Sequence, residues 1–167
     1  MKRCNNLYNI SISDIKDVYK EIRSNTKNKS KIYKFEEFYS LNVSKIKDVF
    51  DNKNYKVGKY NIFLIREPKY RIIMSQEIFD KLINHVVARK FLLPVLEKTL
   101  INTNVATRVN KGTHYGIKYL KKYLNELKGN IIYALKFDIS KYFYNINHNI
   151  LIDLLKKKSK IKMLLIY

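Results

Sequence analysis

With 167 residues, 46% of them hydrophobic, the chain can bury one sizeable core, and with four glycines and two prolines it is not a loop-rich or low-complexity sequence. Lysine and arginine number 34 against 14 acids, a formal charge of +20. Such a charge repels itself unless it meets counter-charge, and phosphate makes nucleic acid the first partner class to consider; a lysine-rich compositional bias, shared by the abundant Asn, Ile and Tyr, is the competing explanation.

In chain order, Ile15, Val18, Tyr19 and Ile22 repeat at helical spacing and predict a helix over 13–24, with Ser13 as its cap. The polar run 24–31 reads as a linker. Residues 34–50 predict one or two short helices, the second starting near Ser44, and 51–56 a break. Residues 60–66 and 71–74 then read as two strands around the turn Glu67-Pro68-Lys69. Ser75 is placed to cap a long helix with Ile78, Phe79, Leu82, Ile83, Val86, Val87 and Phe91 on its apolar face, ending before Pro94. A polar loop over 102–113 leads to an amphipathic helix over 115–127. After a turn at Gly129-Asn130, the apolar run Ile131–Phe137 reads as the best strand of the chain, and a last helix is expected from about Asn147.

The single cysteine, Cys4, builds neither an internal disulfide nor a zinc site, so a reducing, cytoplasmic setting is expected. No signal peptide is expected at the N-terminus, and no run reaches the roughly 18 apolar residues that span a membrane. His85, His114 and His148 have no ligand spacing, and the adjacent pair Glu36-Glu37 reads as a solvated helix face. The 14 tyrosines, many among lysines, suit base stacking but equally the edges of amphipathic helices.

Asp138 follows the apolar run directly, so a buried strand is expected to deliver a carboxylate at its tip. Metal-dependent nucleotidyl transfer needs hard oxygen ligands on a rigid element, although an Asp ending a strand is often a plain turn former or cap. Around it, four stretches stand in a telling order over residues 55–157: Lys69-Tyr70-Arg71-Ile72-Ile73, then the helix from Gln76 through Pro94 to Glu97, then Ala106 to His114, then Phe137 to Phe143 with Ile146-Asn147-His148 and Leu151. Together they resemble the front part of a reverse transcriptase, an RNA-directed DNA polymerase, of the bacterial and group II intron type.

The resemblance implies an α+β fold: helical fingers with a β-hairpin, leading into the first strand of an incomplete polymerase palm. It divides the chain into an N-terminal extension (1–30), fingers (31–130) and the start of the palm (131–167). It implies that Asp138, helped by the backbone carbonyl of Ile139, binds magnesium in a two-metal site. Phe143 matches the aromatic that packs on the sugar of the incoming nucleotide, with an ordinary core aromatic as the alternative. Lys69 and Arg71 match the triphosphate-gripping positions, a role that suits a guanidinium, with a solvated basic hairpin as the alternative. Arg108 and Lys111 would meet template or nucleotide phosphate, with Gly112 allowing close approach. The implied partners are an RNA template, a DNA primer, deoxynucleoside triphosphates and a separately encoded remainder of palm and thumb, with no membrane.

The sequence departs from that family at one decisive point. It contains no Asp-Asp pair, and Asp153 is the only acid after Asp138. One carboxylate does not hold two magnesium ions, so the expectation is a truncated, frameshifted or split enzyme, inactive alone. The alternatives are a non-catalytic RNA-binding module or a relic of a truncated gene.

Overall fold

Ser11 opens the first helix, α1 (Ile12–Asn25), through a capping box: its hydroxyl accepts from the Asp14 N–H at 3.1 Å, and Asp14 accepts from the Ser11 N–H at 3.1 Å. The cap is thus Ser11 rather than Ser13, because only Ser11 stands three residues before an acid that can reciprocate. The computed structural model describes residues 10–127 and 131–159. These divide into two units, with boundaries between Leu96 and Glu97 and between Leu151 and Ile152.

In the first unit, the polar run expected as a linker is largely helical. Helix α2 (Lys29–Glu36) begins inside it and buries Ile32 and Phe35, and α3 (Tyr39–Asn52) follows after a kink at Phe38. Asn42 of α3 donates to the Phe35 carbonyl at 2.9 Å, which satisfies an acceptor left over at the end of α2. Two inward residues one turn apart, Ile32 and Phe35, outweigh the three lysines of the helix. Strands β1 (Asn61–Ile65) and β2 (Arg71–Ser75) form the expected antiparallel hairpin, in register from Asn61 opposite Ser75 to Ile65 opposite Arg71.

Helix α4 (Ile78–Val87) starts after Glu77, not at Ser75, which still belongs to β2. Beyond α4 the helical path runs on past Pro94. A wide turn over Ala88–Leu92, in which the Leu93 N–H reaches back five residues to the Ala88 carbonyl, carries the helical path into α5 (Leu93–Leu96). Proline has no N–H to donate, and in a regular helix its ring presses on the carbonyl four residues back; widening the preceding turn relieves that pressure. Leu93 keeps helical geometry although it precedes a proline.

The core lies among these helices. Ile15, Val18, Tyr19 and Ile22 of α1 meet Ile32, Phe35, Val43 and Ile46, and Ile78, Leu82, Ile83 and Val86 of α4 complete it. Each such side chain contributes roughly 1.5–3 kcal/mol by leaving water. Tyr19 stacks on Phe35 at 5.1 Å and donates its hydroxyl to Glu36 at 2.9 Å. Burial and the neighbouring carboxylate push the Tyr19 phenol well above its ordinary range. Glu36, expected on a solvated face, therefore ties α1 to α2, with Arg23 as its second partner at 2.6 Å. Arg89 grips Glu21 with two nitrogens and Lys90 pairs with Asp14, so the wide turn before Pro94 is clamped onto α1.

The second unit holds a 3-10 turn (Glu97–Thr99), the helix α6 (Thr113–Glu126) and a 3-10 turn at Tyr142–Tyr144. Helix α7 (His148–Ser159) begins where Asn147 caps the Ile150 N–H at 3.2 Å, as the sequence suggested. The strand expected over 131–137 is absent: these residues form no ladder among the described residues. A strand exists only by pairing, and a run apolar on both faces needs neighbours on both edges and cover on both faces. The observed fold is therefore α+β through a two-stranded hairpin. The turn expected at Gly129-Asn130 lies outside the described residues. Among the described residues, no helix is long and apolar enough to cross a membrane.

Candidate nucleic-acid interface

The hairpin is anchored at its base and bare at its tip. At the base, Asn61 donates to Glu77, Gln76 donates to the Tyr60 hydroxyl at 3.4 Å, and Lys31 of α2 donates to the Ser75 hydroxyl at 3.0 Å. A second anchor lies just upstream. The buried Asp80 of α4 accepts from the Tyr55 hydroxyl at 2.9 Å and from the Gly58 N–H at 3.4 Å. A Cβ on Gly58 would sit 2.5 Å from an Asp80 oxygen, so any larger residue there must displace the Asp80 carboxylate. Asp80, Tyr55 and Gly58 were not singled out from the sequence; an acid on the apolar side of a helix was the available signal.

At the far end, Lys69 lies in the connection and Arg71 opens β2, both exposed. With Arg66 they place three cations around a single acid, Glu67. The register puts Ile62, Leu64, Ile72 and Met74 together on one face, and all four are exposed. A two-stranded hairpin with such a face is at best marginally stable alone, and the polar anchors at its base tie it to the helices.

In the second unit, Arg108 is committed inside the protein. Its side chain is 8% exposed and pairs with Glu97 at 2.7 Å. It also donates to the carbonyls of Ile101 at 2.9 Å and Asn104 at 3.1 Å. The guanidinium therefore fastens the loop that ends at α6, and its donors point into the fold. Val105 rests on Gly116 of α6, where a Cβ would meet it at 3.3 Å. Lys111 stays accessible, lying over the Tyr115 ring at 5.2 Å. Gly112 has an extended backbone that any residue adopts and open space around it, so its surroundings do not demand glycine.

Asp138 and Ile139 are exposed, at the end of an unpaired apolar segment in which Tyr133, Leu135 and Phe137 are each at least 80% exposed. The turn that follows is built by Asn145, whose amide donates to the carbonyls of Ser140 and Lys141, each at 3.2 Å. Asn145 is the positioning residue that sequence reasoning passed over, although asparagine is a habitual turn former. Phe143 is exposed and meets Tyr142 edge to face at 5.3 Å. It is not a core aromatic in this structure.

A carboxylate and a carbonyl are hard oxygen donors that suit magnesium. Among the described residues, however, no group of three His, Cys, Asp or Glu side chains could hold a metal ion. The donor set of the described residues therefore does not fit a two-metal site. Lys69 and Arg71 belong to the first unit, and Arg108, Lys111, Asp138 and Phe143 to the second. No family model matches the chain, and no curated protein matches it.

Proposed function

We propose that this chain is the front part of a reverse-transcriptase-like polymerase, comprising fingers and the first palm motif. The reading rests on the order of four stretches along residues 55–157, ending at Phe137-Asp138-Ile139-Ser140-Lys141-Tyr142-Phe143. Two features support it. The hairpin carries Lys69 and Arg71 at its free end, where donors suited to phosphate are accessible. Asp138 stands at the end of an apolar segment whose unpaired backbone is available to further strands.

On this reading the chain works in the cytoplasm on an RNA template and a DNA primer, with deoxynucleoside triphosphates as substrate. Asp138 supplies one magnesium ligand, and the remaining carboxylates come from another polypeptide segment. Lys69 and Arg71 hold the triphosphate, and Phe143 meets the sugar. Lys111 reaches phosphate, whereas Arg108 organises the loop that presents it.

The lone carboxylate also favours a second reading, in which the basic chain holds RNA without catalysis. Primer extension on an RNA template with magnesium separates the two. Incorporation that needs an added polypeptide carrying the missing carboxylates, and that is lost in Asp138→Ala, supports the polymerase. RNA binding with no incorporation under either condition overturns it in favour of the binding module.

A further inference from the structure

Helix α6 carries an aromatic row that no role above uses. Tyr115, Tyr119 and Tyr123 follow one another at four-residue steps, with ring centroids 5.1 and 5.9 Å apart. At this spacing the side chains lie on one stripe of the helix. Lys111 closes one end of the row over the Tyr115 ring. Lys118 and Lys122 stand three residues beyond Tyr115 and Tyr119, which makes them a parallel row beside the rings. Over residues 111–126 there are four lysines and one acid, Glu126, which Lys122 faces at 3.8 Å. Tyr123 is 46% exposed, and Tyr115 and Tyr119 are half-buried, partly by one another.

Rings alone would suit a protein core, and lysines alone a solvated face. Their alternation in adjacent rows is the pattern that binds a single strand of nucleic acid: bases stack on the rings while cations track the phosphates. Charge complementarity excludes a basic partner and favours a polyanion. We propose that the Tyr115–Tyr119–Tyr123 row of α6, flanked by Lys111, Lys118 and Lys122, is a stacking platform for single-stranded RNA. The choice of RNA rests on the polymerase reading above, whereas the platform itself needs no magnesium and no carboxylate.

The test is the binding of a labelled oligouridylate to the full chain, followed by fluorescence anisotropy in magnesium-free buffer. Tyrosine-to-leucine changes leave the charge unaltered and favour the helix, which circular dichroism verifies. Stacking losses are of the order of tenfold or more per base, so Tyr119→Leu weakens binding about tenfold and the triple Tyr→Leu variant at least about a hundredfold. Tyr119→Phe keeps the ring and stays within about twofold. The combined Lys118→Gln and Lys122→Gln variant lowers the slope of log affinity against log salt by about 1.4, the value for two phosphates of a single strand. A triple tyrosine variant that binds like the parent overturns the proposal. So does an unchanged salt slope, or equal tyrosine dependence for duplex RNA. Were α6 covered instead by a protein through Ile117, Leu120 and Leu124, RNA binding would ignore the tyrosines. Asp138-dependent synthesis with tyrosine-independent binding refutes the platform alone; tyrosine-dependent binding without synthesis refutes the polymerase reading alone.

Discussion

The two units contain similar amphipathic segments and use them differently. In the first, the faces of α1, α2, α3 and α4 close on one another, and every buried apolar residue among those described lies there, from Ile10 to Phe91. In the second, Ile117, Leu120 and Leu124 of α6 and the run Ile131–Ile139 keep their apolar side chains exposed. Composition does not separate the two; partnership does. An apolar face stabilises a fold only when another face covers it. The second unit holds its shape instead by local polar devices, namely the Arg108 staple, the Asn145 turn and the Asn147 cap.

The largest expected effect tests that contrast directly. Leu82 is fully buried at the centre of the first unit, so Leu82→Ala costs about 2–5 kcal/mol in urea unfolding followed by circular dichroism. Leu120→Ala on α6 changes stability by no more than about 0.5 kcal/mol. Equal effects would dissolve the distinction between the units.

Next comes the staple. Arg108→Ala leaves two carbonyls and Glu97 without their donor, a loss of about 1–3 kcal/mol confined to the second unit. Hydrogen exchange should quicken over 97–112 and stay unchanged in α1 and α4; a change spread over both units would show that they are coupled. A comparable local effect is expected at Gly58, where the added Cβ of Gly58→Ala must displace Asp80. The cost is about 1–3 kcal/mol, and Asp80→Ala, by removing the obstacle, should reduce the penalty of the second change.

The smallest effect is electrostatic. The hydrogen bond from Lys90, helped by Ser11, lowers the Asp14 carboxyl from 3.8 to about 2. A carboxylate depressed in the fold adds stability above its unfolded value and loses it as pH falls through the folded one. The Lys90–Asp14 contribution should therefore fade between about pH 4 and pH 2. It is a partly exposed pair worth no more than about 1 kcal/mol. Lys90→Met should flatten that acid limb of the stability profile. His85 works in the same direction at milder acidity: burial, with Arg89 and Lys81 nearby, lowers its pKa, so protonation below its ordinary 6.5 opposes folding.

Several elements were legible because their signals are local. The β1–β2 hairpin follows from two β-prone runs around Glu67-Pro68-Lys69, and α1 and α6 from apolar residues three and four apart. The departures have other causes. Helix α2 was hidden because its lysines outnumber Ile32 and Phe35, whose weight is felt only against α1 and α4. Pro94 read as a stop because a wide turn has no sequence signature. Lys69, Arg71, Lys111 and Asp138 were found as accessible charges, whereas Arg108 is spent on two loop carbonyls and on Glu97, eleven residues away.

The sequence by itself determined the hairpin, most of the helices, the large positive charge and the lone carboxylate at Asp138, because periodicity, turn chemistry and charge are properties of neighbours along the chain. Only the tertiary structure decided which apolar faces are covered, which cation is spent inside the fold, and that Ile131–Phe137 forms no ladder among the described residues. Those outcomes depend on groups distant in sequence meeting in space, and burial and strand pairing reward nothing until they do.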